Sequence, residues 1–221
     1  MANTQGTFAL ESKNTTPSIQ DISTNDNSID IFNEDSDIIA ISDDYVRVDL
    51  STKRLEINNE DELRNKLNQE EFNYIKECVE TVNHLIENGE VTVMDDGTMY
   101  LTNEITARGG KINRSEVKYW GIRRYNNQAN TTSAANTLIK NGKSFKNVTS
   151  VPKSVLAIIG LAGLGTPVNT IVAAIGIGNA FGNWMYNVGT QLKKKNNKYG
   201  TVLDISWNAS YKVWKQTNST K

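Results

Sequence analysis

Cysteine, histidine and proline are scarce in this chain, and each scarcity excludes something. Its 221 residues hold one cysteine, Cys78, so no internal disulfide framework staples the fold. The one histidine, His84, rules out a multi-histidine metal site and has no recognisable nucleophile beside it. Cys78 and His84 both read as ordinary residues of one helix. With three prolines and 38% hydrophobic residues, the chain is neither collagen-like nor disordered throughout. Phosphate-cradling loops and zinc motifs are missing, and Asp95-Asp96-Gly97 lacks the spacing of a calcium loop. The carboxylate pairs Asp43-Asp44 and Asp95-Asp96 read as solvated charge. The expectation is therefore no enzyme, no metal and no cofactor.

Charge of either sign is also missing, but locally. The net charge of −1 hides a reversal: up to Glu104 there are 23 acidic and 7 basic residues, and beyond it 2 acidic and 17 basic. Between Lys153 and Lys193 lie 39 residues with no Asp, Glu, Lys or Arg. Such asymmetry points to segments with different tasks.

The pattern predicts an α+β chain in four parts. Residues 1–43 are polar and acidic with scattered apolar positions, and they read as a disordered segment. Residues 44–104 read as a small acidic ββαββ-like module. Tyr45–Leu50 alternates and Leu55–Ile57 returns across a turn. Asn59 with Glu62, and Asn68 with Glu71, offer helix caps. Phe72, Ile75, Val79, Val82 and Ile86 recur in steps of three and four, as on an amphipathic helix that Gly89 ends. Asp95-Asp96-Gly97 then turns a second hairpin. Residues 105–116 read as a linker where the charge reverses, and its Arg108-Gly109-Gly110 strip suits a processing protease. Residues 117–221 form a basic module with a Gly/Ala-rich apolar helical hairpin and a C-terminal aromatic strand.

Within the basic module, Tyr119, Trp120, Arg123, Arg124 and Tyr125 interleave aromatics with cations. Such residues favour an anionic water–apolar boundary, a domain core, or a strand docked on a helix. A helix is expected from Thr131 to about Lys140, ended by Gly142. Gly165-Thr166-Pro167 divides the uncharged stretch. Ser154–Gly165 would be about 18 Å long as a helix, too short for a bilayer core of about 30 Å. Val168–Tyr186 would be about 28 Å, just long enough. Its apolar side carries Ile171, Ile175 and Phe181, with Trp184 and Tyr186 at the end, and these are the expected membrane-inserting residues. Ala174, Gly178 and Gly182 stand four apart, a small-residue ridge for helix packing. Asn169, Asn179, Asn183 and Asn187 form a polar stripe that could bond a neighbouring helix or line a wet path. Lys193, Lys194 and Lys195 follow as a cationic anchor. From Leu203 to Val213 the pattern alternates as one strand, with Trp207 on its apolar face and Trp214 just out of phase.

The order Lys118-Tyr119-Trp120-Gly121, Arg123-Arg124-Tyr125, apolar hairpin, lysine-rich turn and aromatic strand resembles small secreted, bacteriocin-like or membrane-active proteins of Gram-positive bacteria. The resemblance covers about 117–214. It implies secretion, with the leader removed ahead of this chain, and permeabilisation of anionic bacterial membranes. Self-association of the hairpin and, as partners, a processing protease or an immunity protein are also expected. The acidic half would then mask the cationic one until cleavage. The competing reading is a secreted soluble binding or structural module whose apolar hairpin is an ordinary core. Nucleic acid is not expected as a partner, for no helix-turn-helix, zinc-finger or RNP pattern is present.

Overall fold

The computed structural model describes residues 32–102, 113–145, 151, 153–160, 166–176 and 178–217. Its elements run α1 (Phe32–Ser42), β1 (Val46–Asp49), β2 (Arg54–Ile57), α2 (Glu60–Lys66), α3 (Gln69–Glu87), β3 (Val91–Val93) and β4 (Met99–Leu101). Then come β5 (Ser115–Lys118), β6 (Gly121–Asn126), α4 (Gln128–Ser144), α5 (Lys153–Ile159), α6 (Thr166–Ile175), α7 (Asn179–Lys195), β7 (Thr201–Ser206) and β8 (Tyr211–Lys215). The chain is α+β.

Local chemistry explains many of these boundaries. Asn68 Oδ1 accepts from the Glu70 and Glu71 amides while Glu71 Oε2 accepts from the Asn68 amide, a complete capping box for α3. Gly89 takes φ +71° just past the C-terminus of α3, where a side chain would be strained. Asn59 caps α2 differently from expectation: it is left-handed and makes no side-chain cap bond. Glu60, Asp61 and Glu62 instead put negative charge on that helix N-terminus.

β1 and β2 form their own two-stranded sheet. The other six strands make an antiparallel meander in the order β3-β4-β5-β6-β7-β8, with α4 to α7 inserted between β6 and β7. One face aligns Val117, Ile122 and Ile205, all buried. The other face aligns Glu116, Arg123, Asp204 and Lys212 across four strands. Opposite charges directly across a ladder add about 0.2–1 kcal/mol each. α3 packs on β2 and β3, and α4 pairs extensively with α7, which also rests on β8.

Four more expectations are corrected. First, α1 occupies the end of the segment expected to be disordered. Ile39 and Ser42 are buried there, and Tyr119 Oη donates to the Ile39 carbonyl at 3.0 Å and shares a hydrogen bond with Ser42 Oγ at 3.0 Å. Residues 1–31 lie outside the described residues. Second, the boundary drawn at 105–116 falls within one sheet, because β4 pairs with β5, whose Ser115 and Glu116 belong to that supposed linker. Third, α4 runs through Gly142 to Ser144. Fourth, the expected single strand Leu203–Val213 is a hairpin. Ser206, Trp207, Asn208 and Ala209 turn it, with Ala209 at φ +72°.

Candidate functional site

The uncharged stretch folds as three helices rather than one hairpin of two arms. Gly160, Gly176 and Gly178 all have positive φ, near +80°, and they separate α5, α6 and α7. The expected helix Val168–Tyr186 is therefore broken. Glycine reaches this backbone region at little cost, and two such residues within three positions uncouple α6 from α7. Among the described residues, no helix is long and apolar enough to cross a membrane.

The residues expected to enter lipid mostly face inward. Ile171, Phe181 and Trp184 are core residues of the fold, and Ile175 and Tyr186 are half-buried. The physical reason is the sheet. α7 lays Phe181, Trp184, Met185, Val188 and Leu192 against α4 and β8, so its apolar side is already covered. Rings continue this contact: Phe145 to Phe181 at 5.6 Å, Phe181 to Trp184 at 5.7 Å, and Trp184 edge-on to Tyr211 at 5.8 Å. Trp184 Nε1 donates to the Ala209 carbonyl at 2.9 Å, which satisfies its buried polar end.

The expected small-residue ridge is divided among three roles. Gly182 does bring helix backbones together, but inside the fold and against α4. A Cβ at Gly142 would stand 2.7 Å from the Gly182 carbonyl oxygen, and a Cβ at Gly189 only 3.0 Å from the Ala135 carbonyl. Gly178 caps α7 with a left-handed backbone, and Ala174 is exposed on α6. Gly142 reads in the sequence as a helix end rather than a packing position, and Gly189 escaped the reading. Spacing of seven between Gly182 and Gly189 is the signal that could have found the second.

The aromatic and cationic residues serve the β5–β6 hairpin and its neighbours. Tyr119, Trp120 and Tyr125 are buried, and Trp207 Nε1 donates to the Tyr119 carbonyl at 2.7 Å. Arg123 makes a bidentate pair with Asp204 at 2.9 and 2.8 Å and lies over the rings of Trp120 and Trp214. Arg124 is buried and donates to Ser115 Oγ. Burial raises the Asp43 carboxyl above its ordinary value, although Tyr119, Arg123 and Lys118 oppose that. Burial pushes Glu116 up too, but Lys118 and Arg114 together outweigh it and hold the group below its ordinary value. Lys193, Lys194 and Lys195 occupy the last turn of α7, where positive charge suits the helix C-terminus. The described ion pairs, such as Lys53–Asp95, Arg54–Glu87 and Arg123–Asp204, each join residues of the same charge half.

Of the polar stripe, Asn169 lies on α6 while Asn179, Asn183 and Asn187 lie on α7, all exposed. The structure brings Asn183 and Asn187 to a groove of about 380 Å³ between α7, the end of α6 and the β7–β8 turn. Asn208, Ser210 and Tyr211 form its far wall, and Trp184 lies at its base. Asn208 Oδ1 accepts from the Ser206 hydroxyl, the Ser210 hydroxyl and the Ser210 amide, which fixes that wall. A second, smaller cavity of about 240 Å³ opens where Asp43, Val46 and Leu55 face Lys118, Trp120 and Arg123. Arg108, Gly109 and Gly110 lie outside the described residues. Among the described residues, no group of three or more His, Cys, Asp or Glu could hold a metal. Compared with protein-family models, curated proteins and solved structures, the chain matches none of them.

Proposed function

We propose that this chain is a secreted, membrane-permeabilising protein of bacteriocin type, folded so that its uncharged helices are stored on a sheet. The observation that carries the reading is α6. Among its described side chains only Ile171 is buried, Ala173 and Ala174 are exposed, and left-handed Gly176 and Gly178 follow it. Lifting α6 off the fold uncovers Ile171 together with the half-buried Val172 and Ile175, at a cost of about 3–6 kcal/mol. Attraction of Lys and Arg to anionic lipid supplies about 1 kcal/mol per residue near the surface. The chain beyond Glu104 has 17 basic residues against 2 acidic. A few lysines at a bilayer therefore offset the release of α6. α7 stays behind as core. The 7 residues of α5 and 10 of α6 make rods of about 10 and 15 Å. Their contact with lipid is interfacial, with the apolar face buried below the headgroups.

The test is dye release from phosphatidylglycerol vesicles by the full chain, with phosphatidylcholine vesicles as control. The Ala157→Glu, Ala173→Glu variant places charge at two exposed positions, where surface changes usually cost under about 0.5 kcal/mol. The wild type should release dye from the anionic vesicles alone, and the variant should fold and release little. An inactive wild type, or a fully active variant, overturns the proposal. The soluble binding module is the second reading, favoured by the burial of Phe181, Trp184 and Met185, and an inert wild type would leave it standing.

A further inference from the structure

We infer that the groove between α7 and the β7–β8 turn binds a neutral oligosaccharide carrying N-acetyl groups. Ala174 and Ile175 of α6 line the groove, so the inference concerns the fold with α6 docked. Its first support is the absence of formal charge from the lining. The groove belongs to a half with 17 basic residues, yet among the described residues no Lys, Arg, Asp or Glu lines it. A site for phosphate, sulfate or carboxylate would use those cations, so the ligand class is uncharged.

The second support is amide chemistry. Asn183 and Asn187 stand one helical turn apart on α7, exposed, and their side chains make no hydrogen bond among the described residues. Each amide offers two donors and an acceptor in one plane. Paired hydroxyls on adjacent sugar carbons, and the acetamido N–H and C=O, present the complementary set.

The third support is the arrangement of apolar surface. Tyr211 is half-buried, and its edge-on contact with Trp184 fixes the plane of its ring. A fixed aromatic ring is a seat for the C–H face of a pyranose, which is the apolar part of an otherwise polar molecule. Across the groove, Ala174 and Ala180 are exposed and Ile175 half-buried, a small apolar wall of the size that an acetyl methyl requires. The groove, about 380 Å³ and open to solvent, sets the polar Asn183, Asn187, Asn208 and Ser210 beside the rings of Trp184 and Tyr211.

The experiment titrates the full chain with the trimer of N-acetylglucosamine, read by calorimetry and by tryptophan fluorescence. Maltotriose and a sulfated heparin disaccharide are the comparison probes. The acetylated trimer should bind with a millimolar or tighter dissociation constant. The Asn183→Ala, Asn187→Ala variant, whose exposed helix positions favour alanine, should fold with an unchanged circular dichroism spectrum and bind about tenfold more weakly or less. No binding of the trimer up to about 10 mM overturns the inference. Equal binding of maltotriose overturns the N-acetyl assignment, and preferred binding of the sulfated sugar overturns the neutral class. Wild-type affinity in the variant removes the groove as the place. Vesicles of pure lipid carry no sugar trimer, so failure here and failure of the leakage assay are separate results.

Discussion

Replacing Gly142 by alanine reverses an ordinary expectation. In the middle of an exposed helix, Gly→Ala stabilises by about 0.8–1.0 kcal/mol through helix propensity. Gly142 sits inside α4 where that helix crosses α7. A Cβ there would stand 2.7 Å from the Gly182 carbonyl oxygen, 2.8 Å from the Tyr186 amide nitrogen and 3.0 Å from Tyr186 Cβ. The first two are backbone atoms and cannot rotate aside. Reaching van der Waals contact near 3.5 Å needs the helices to part by about 0.5–1 Å. That movement disturbs Phe145 and Phe181, whose rings touch just beyond the crossing. Overpacking of this kind costs about 1–3 kcal/mol, towards the upper end when backbone must move. Net of the propensity gain, the variant should be about 1–2 kcal/mol less stable, a fall in Tm of about 2–8 °C for a chain this long. Thermal melts by circular dichroism, with urea unfolding as a cross-check, measure it. Gly189→Ala should cost less, because its nearest backbone obstacles, the Ala135 carbonyl oxygen and the Ile139 nitrogen, stand at 3.0 Å rather than 2.7 and 2.8 Å. An unchanged or raised Tm in the Gly142→Ala variant would refute the close approach of α4 and α7.

Two further outcomes follow from hydrogen bonds and titration. Tyr119→Phe removes the phenol that bonds the Ile39 carbonyl and Ser42, leaving buried groups short of a partner at about 1–3 kcal/mol; α1 amides should then exchange at least about tenfold faster, while those of α7 stay protected, as read by hydrogen exchange. Glu116 sits below its ordinary value, so the stability it adds is present above about pH 4.5 and is lost as acid carries the pH down through its lower folded value. Glu116→Gln should therefore lower stability near pH 7 and lose less of it than wild type on acidification to about pH 3, measured by urea unfolding across the range.

What could be read ahead of the structure was local. Asn68 and Glu71 define a capping box within four residues, and Gly89 and Asp95-Asp96-Gly97 mark their own turns. What escaped was either hidden by a competing pattern or spread across the chain. The alternation from Leu203 to Val213 continues through the β7–β8 turn, so period two alone reports a single strand. No glycine or proline interrupts it, and the turn is held by Asn208 bonding both serines. β5 is four residues with two charges, and its partners lie both before and after it in the chain. α1 is recruited by Tyr119, some eighty residues away. For the groove, the asparagine row on α7 was legible, but Tyr211 and Ser210 reach it only because the last strand doubles back. The apolar periodicity of α7 was read correctly, while the identity of its cover, protein rather than lipid, depends on tertiary contacts.

The pairing of β4 with β5 alters what scission would accomplish. A backbone cut between these neighbours removes the covalent tie but leaves the ladder, together with the α1–Tyr119 bonds, clasping acidic and basic portions as a two-piece particle. The two fragments of a nicked molecule would then elute together from a native column and part only in denaturant.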